Sequence, residues 1–213
     1  MKTKLIIFFA ILFQINLFCQ KTEKDQKSNK PKLVVGIVID QMRWDYLYRY
    51  ESKYSSNGFK RLLAQGYSCE NTQIPYVPTY TAPGHTCVYT GSVPAYHGII
   101  SNNWFDKTIE KSIYCTDDAR YSTVGDTSNA GKMSPVNMLT TTICDELKLA
   151  TNFRSKSIGI AIKDRGAILP AGHSADAAYW YSGASGNWIT STYYRNELPK
   201  WVEDANKQFA KNA

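Results

Sequence analysis

The chain has 213 residues, 43% of them hydrophobic, and a formal net charge of +7; that length suffices for one domain with a real core, or for one part of a larger one. The charge is unevenly spread: Lys2, Lys4, Lys21, Lys24, Lys27, Lys30 and Lys32 stand against Glu23 and Asp25, so residues 33–213 carry only +2. A folded part that close to neutral gives no electrostatic reason to expect nucleic acid as a partner.

Lys2 and Lys4 form a basic leader, Leu5–Phe13 an apolar stretch too short to span a bilayer, and cleavage after Cys19 leaves Gln20 first. This is the pattern of a secretory signal over residues 1–19, which implies a periplasmic or secreted protein with no stable membrane span. A lipid anchor on Cys19 is the alternative, and Asn16-Leu17-Phe18 matches a lipid-attachment box poorly. Residues 20–32 read as a polar, lysine-rich tether, and residues 33–213 as the folded domain. Cys69, Cys87, Cys115 and Cys144 remain after cleavage, with no Cys-x-x-Cys pair, which excludes zinc-ribbon and thioredoxin-like sites. One or two disulfides and buried free thiols both fit an exported chain.

Leu33–Asp40 is a continuous apolar run ending in a carboxylate, expected as a strand buried on both faces. Gln41–Tyr54 reads as a loop with a turn or two of helix, Gly58–Gln65 as a short helix stopped by Gly66, and Tyr67–Ile74 as the next strand. Pro75, Pro78 and Pro83 then stiffen a loop leading into a helix over Ala82–Thr90, with Thr81 at its N-cap and Pro83 where a helix tolerates proline. Ser112–Cys115 is a short strand, and Asp117–Lys132, rich in Ser, Thr and Gly, a surface excursion. Ser134-Pro135 is expected to start a helix that places Val136, Leu139, Ile143 and Leu147 on one face. Ser157–Ile162 is a strand ending in Lys163-Asp164-Arg165-Gly166. Ala177–Tyr181 and Trp188–Tyr193 are strands around a Gly183–Gly186 turn, and Leu198–Ala210 is a closing amphipathic helix. Such β–α alternation indicates an α/β domain.

Asp40 stands at a strand end, where a carboxylate either caps the following turn or binds a metal. Thr81 is either a helix cap or a nucleophile that a metal or base must activate. Lys163 and Arg165 are charges at the end of a buried strand, suited to phosphate oxygens as a point charge and a bidentate donor, and Asn102 offers an amide N–H to the same kind of ligand. His85, His97 and His173 lie in turn-like sequence without the spacing of a zinc pair, and read as histidines bonded to local backbone.

Val38-Ile-Asp40, Thr81-Ala-Pro-Gly-His85 and His97-Gly-Ile-Ile-Ser-Asn102 resemble the N-terminal half of the alkaline phosphatase superfamily, including its nucleotide pyrophosphatase/phosphodiesterase branch. Asp40-Gln-Met-Arg-Trp-Asp-Tyr-Leu-Tyr-Arg49 and Lys163-Asp-Arg-Gly-Ala-Ile-Leu-Pro-Ala-Gly-His173 are similar to bacterial periplasmic alkaline phosphatases of the PafA type. The resemblance implies an alkaline-phosphatase-like central sheet flanked by helices, incomplete in this chain. It implies a two-zinc hydrolase of small phosphomonoesters with Asp40 as a zinc ligand. Thr81 would be a zinc-bound nucleophile passing through a phosphothreonine, and Asn102, Lys163 and Arg165 phosphate ligands. The family's Asp-x-x-x-His, Asp-His pair and later His have no counterpart here. The expectation is therefore an N-terminal portion, inactive in isolation, whose remaining Zn2+ ligands lie beyond residue 213. A phosphodiesterase or nucleotide pyrophosphatase of the same superfamily, and a non-catalytic secreted binding module, are the alternative readings.

Overall fold

The computed structural model describes residues 31–212; the expected signal segment and all of the tether but Pro31 and Lys32 lie outside the described residues. The chain divides into two compact units, Met1–Ile39 and Asp40–Ala213. In the first, Leu33–Ile39 joins no ladder among the described residues, and Leu33, Val34, Val35 and Ile37 are 67–78% exposed. The expectation of a doubly buried strand is corrected on this point. The composition suits such a strand, but a strand is completed only by neighbours that take up its amides and carbonyls.

The second unit begins with α1 (Tyr46–Arg49), a 3-10 turn (Glu51–Lys53) and α2 (Phe59–Gln65), the last ending at Gly66 as expected. Tyr67–Ile74 is irregular rather than a strand. Thr72 Oγ1 donates to the Cys69 carbonyl at 3.1 Å and Gln73 Nε2 to Asn71 Oδ1 at 3.3 Å, local bonds of the kind that compete with a ladder. Next come α3 (Thr81–Thr90), α4 (Pro94–His97) and an antiparallel hairpin of β1 (Asn103–Asp106) and β2 (Lys111–Tyr114), with Asn103 opposite Tyr114.

The helix expected from Ser134 is absent. Ser134 Oγ donates instead to Asp118 Oδ2 at 2.6 Å and accepts from the Val136 N–H, which closes a turn. The helix here, α5 (Ile143–Ala150), starts at a capping box between Thr142 and Asp145. Ile143 and Leu147 are exposed while Asp145 and Lys148 are buried, so the apolar spacing marks the wrong face.

β3 (Thr123–Val124), β4 (Ile158–Ala161), β5 (Ala177–Ser182) and β6 (Asn187–Ser191) form a mixed sheet in the order β3-β6-β5-β4, with β4 parallel to β5 and the other pairs antiparallel. β3 lies inside the expected surface excursion, with Val124 buried. Helix α6 (Asp164–Ala171) links β4 to β5, and α7 (Lys200–Asn212) follows β6. This is the α/β architecture expected from the alternation.

β5 organises the layers because it is buried on both sides. Ala178 and Trp180 pack with Ala167 and Ile168 of α6 and with Ile189; Ala177 and Tyr179 pack with Val202 of α7. Each fully buried apolar side chain of this size contributes about 1.5–3 kcal/mol. A third cluster, Ala82, Ile99, Cys115, Met138 and Leu169, lies beneath the starts of α3 and β1. Cys69, Cys87, Cys115 and Cys144 are all free, but only Cys115 is buried, so the expectation of buried free thiols holds for that one.

Lys148, 5% exposed, is neutralised by Asp176 at 2.7 Å, whose other oxygen takes Lys156 at 2.9 Å. Burial opposes the charge on Asp176, but Lys148, the Ser157 amide and Lys156 hold its carboxyl down to about 2. Replacing Asp176 with Ala strands a buried ammonium and should cost about 3–5 kcal/mol in urea unfolding. The depressed carboxyl also sets a window. Its contribution is complete above the ordinary carboxylate pKa of about 4 and is lost as the pH falls through about 2. The stability gap between the parent and Asp176→Ala should therefore narrow between those limits.

Candidate active site

Tyr80 is extended (φ −70°, ψ 167°), and its carbonyl accepts the first helical bond of α3 from the Gly84 N–H at 2.9 Å. Tyr80 is therefore the N-cap and Thr81 the first helical residue, a correction of one position to the expected cap. The consequence is chemical. The Thr81 hydroxyl caps none of its own helix's amides and donates instead to Asp40 Oδ2 at 3.0 Å. Thr81 is half-buried, and Asp40 is exposed.

The amide that a cap would have satisfied is served from elsewhere. The Ala82 N–H donates to Asn102 Oδ1 at 2.8 Å. Asn102 lies just ahead of β1, and its own carbonyl accepts from the Cys115 N–H at 3.0 Å. With Oδ1 committed to Ala82, the free part of the Asn102 amide group is its NH2, which can only donate. His85 Nδ1 donates to the Thr81 carbonyl at 2.8 Å and Thr86 Oγ1 to the Ala82 carbonyl at 2.8 Å, fastening the first turn of α3.

Lys163 and Arg165 follow the end of β4 as expected, but the strand itself is not buried, with Ile158 and Ile160 exposed. The strand ends at Ala161, and the two residues open α6, Lys163 as its exposed N-cap and Arg165 as its half-buried second residue. Gly166 and Pro170 hid this helix. Pro170 is tolerated near its end, and Gly166 is needed in its first turn. A Cβ on Gly166 would sit 3.1 Å from Ala161 Cβ, so its absence lets the first turn of α6 lie close against the end of β4, while His85 Nε2, at 3.7 Å, would be in ordinary contact.

Arg165 Nη1 donates to the Tyr114 hydroxyl at 2.9 Å, and that hydroxyl donates to Asp164 Oδ1 at 2.9 Å. The other oxygen of Asp164 accepts from Thr116 Oγ1 at 2.6 Å. Burial and the neighbouring Asp164 carboxylate push the Tyr114 hydroxyl above its ordinary range, so it stays protonated. Arg165 Nε is buried with no partner. The structure thus joins Asp40 to Thr81, Asn102 to the start of α3, and Arg165 to the end of β2. Lys163 shares the first turn of α6 but stands outside this bonded set. Tyr114, Asp164 and Thr116 escaped the sequence reading, since no spacing signals a strand-end tyrosine that meets a helix fifty residues on.

The histidines behave as expected where their rings are bonded. Besides His85, the buried His97 accepts from the Ile99 N–H at its Nδ1 and has Nε2 3.1 Å from Cys87 Sγ. Burial lowers the pKa of its imidazole, keeping it neutral.

A metal was expected at Asp40 and Thr81. A carboxylate and a hydroxyl oxygen 3.0 Å apart are donors of a suitable kind for zinc, but a catalytic zinc takes three protein ligands. Among the described residues no group of three His, Cys, Asp or Glu side chains assembles. The fit is right in chemistry and short in number.

A family model described as type I phosphodiesterase / nucleotide pyrophosphatase matches residues 34–211. The chain belongs to that family. Within the phosphodiesterase family it is 58% identical to alkaline phosphatase PafA of Elizabethkingia meningoseptica over 86% of this chain and 34% of that protein. It is 55% identical to alkaline phosphatase PhoV of Synechococcus elongatus over 98% of this chain and 39% of that one. A protein of Myroides odoratus named a calcium-transporting ATPase is 62% identical over 86% and 33%. The crystal structure of wild-type PafA superposes with a TM-score of 0.83, covering 84% of this chain and 35% of that chain. A PafA variant substituted at a threonine, an asparagine, a lysine and an arginine matches equally well. The chain spans 33–39% of the length of these curated relatives. No described helix is long and apolar enough to cross a membrane.

Substituting Asn102 by Ala should leave the Ala82 amide without its partner and lower stability by about 1 kcal/mol, measured by urea unfolding. Asn102→Asp keeps the accepting oxygen and should recover most of that loss.

Proposed function

We propose that this chain carries the nucleophile and the phosphate clamp of a zinc-dependent phosphomonoesterase. The observation that carries the reading is the Thr81 hydroxyl, set at the start of a helix, released from capping and held by Asp40 at 3.0 Å. In the proposed reaction Thr81 Oγ1 attacks phosphorus in line, forming an O–P bond as the ester P–O bond breaks. The departing alcohol takes up the proton that the threonine loses. Water then adds to the phosphothreonine, releasing inorganic phosphate and restoring the hydroxyl.

Asp40 and Thr81 are the residues here that would hold zinc, which when bound lowers the hydroxyl's pKa and offsets charge on the oxygens. Two zinc ions are proposed, as in the family resemblance, with the further ligands supplied by sequence other than the described residues. The activity is accordingly proposed for a protein of the relatives' full length. Asn102 gives its NH2 and Arg165 its guanidinium to the non-bridging oxygens, and Lys163 adds a point charge. Such positioning and charge stabilisation is what phosphoryl transfer asks of a protein. Support comes from the substituted PafA variant. Its four residue types, Thr, Asn, Lys and Arg, recur here in the same order, and to within one residue at the same spacing, as Thr81, Asn102, Lys163 and Arg165. Export to the periplasm or beyond is proposed from the leader at residues 1–19, and small phosphomonoesters are the proposed substrates.

The family's own description favours phosphodiesters as a second reading. The Lys163/Arg165 pair argues for the dianionic monoester, because a diester presents less charge for two cations to meet. An aryl phosphate monoester, an aryl diester and ATP should be compared with the full-length protein. Monoester turnover should dominate, and label from a 32P monoester should be trapped at low pH on Thr81 and vanish in Thr81→Ala. Lys163→Ala should slow the monoester roughly 10–100-fold more than the diester. Equal losses on both substrates would remove the case for a monoesterase.

A further inference from the structure

We propose that Tyr114 is a positioning residue for phosphate binding: its hydroxyl, interposed between Arg165 and Asp164, orients the guanidinium and keeps it from pairing with that carboxylate. The inference rests on the reading of Arg165 as a phosphate ligand and adds what makes that ligand available.

Arg165 and Asp164 are chain neighbours at the start of one helix, and a guanidinium normally finds an adjacent carboxylate a strong bidentate partner. Here no hydrogen bond joins them directly. Arg165 Nη1 donates to the Tyr114 oxygen, and the Tyr114 proton goes to Asp164 Oδ1. The carboxylate is occupied on its other side by Thr116 Oγ1, so both of its oxygens are engaged by neutral hydroxyls. Arg165 thus has no direct ion pair with Asp164, and its buried Nε has no partner among the described residues.

Tyr114 is itself held rigidly. It ends β2 in register with Asn103, and the next residue, Cys115, bonds the Asn102 carbonyl. The hairpin therefore carries one phosphate ligand, Asn102, at one foot and the holder of another, Tyr114, at the other. A group fixed this way sets where the Arg165 fork points, which an isolated flexible side chain would not do.

The test is a double-mutant cycle in the full-length protein with Tyr114→Phe and Arg165→Ala, reading kcat/KM for an aryl phosphate monoester and competitive inhibition by inorganic phosphate. Tyr114→Phe removes only the hydroxyl, and a thermal melt checks that the fold is kept. Alone it should lower kcat/KM and weaken phosphate inhibition by about tenfold, the range for groups that support a ligand rather than touch substrate. On the Arg165→Ala background it should change either by less than about twofold, because there is nothing left to position. An equal loss on both backgrounds, or none with Arg165 present, would overturn the positioning role while leaving Arg165 as a ligand. If Arg165→Ala itself changes neither measurement, the reading of Arg165 fails and the proposal for Tyr114 goes with it.

Discussion

The close approach of α3 and α6 is the constraint on which the site depends. Ala82 of α3 and Leu169 of α6 share one buried cluster below the two helices. Of these two packed helices, one opens on Thr81 and the other on Lys163 and Arg165. Each helix start also brings the positive end of a helix dipole. A larger residue at Gly166 would press on Ala161 at the end of β4, just ahead of α6.

α6 is fixed at both ends by an acidic side chain, each in a different way. At its start Asp164 gathers two hydroxyls from the β2 end. Beyond its end the buried Asp145, from α5, accepts from the His173 and Ser174 amides and the Ser174 hydroxyl while completing its own capping box. Burial alone would raise the Asp145 carboxyl, but these bonds, with Ser174 foremost, outweigh it and hold the pKa low. Gly172 makes the arrangement possible, because its φ is +84° and any Cβ there would overlap Asp145 and Thr142. Arg165 is thus carried on a helix with little freedom to slide.

The sequence was informative where a residue's chemistry is local. The strands around the Gly183–Gly186 turn, the closing helix and the stop at Gly66 follow from periodicity and from glycine. Asp40 and Arg165 stood out as charges at the ends of runs that read as buried strands, and Thr81 as a hydroxyl at a helix start. It misled where a distant partner decides the outcome. Ser134 reads as a helix start until Asp118 claims its hydroxyl, and Leu33–Ile39 reads as a buried strand although burial depends on neighbours its own residues do not specify. α6 stayed hidden because Gly166 and Pro170 are poor helix formers taken singly, and only the close contact with Ala161 at the end of β4 explains the glycine.

The orientation of the Asn102 side chain has a further consequence, for the response of the site to alkalinity. Its oxygen is committed to the Ala82 amide, so what it turns outward is a neutral NH2 with no titrating proton. Arg165 keeps its charge at any pH a folded protein tolerates, and burial beside Asp164 keeps the Tyr114 proton in place above the usual range of phenols. The donor character of Asn102 and Arg165, and the Tyr114 bridge between Arg165 and Asp164, are therefore insensitive to base. On the proposed reading, an ester dianion would still meet hydrogen-bond donors here as the medium becomes alkaline.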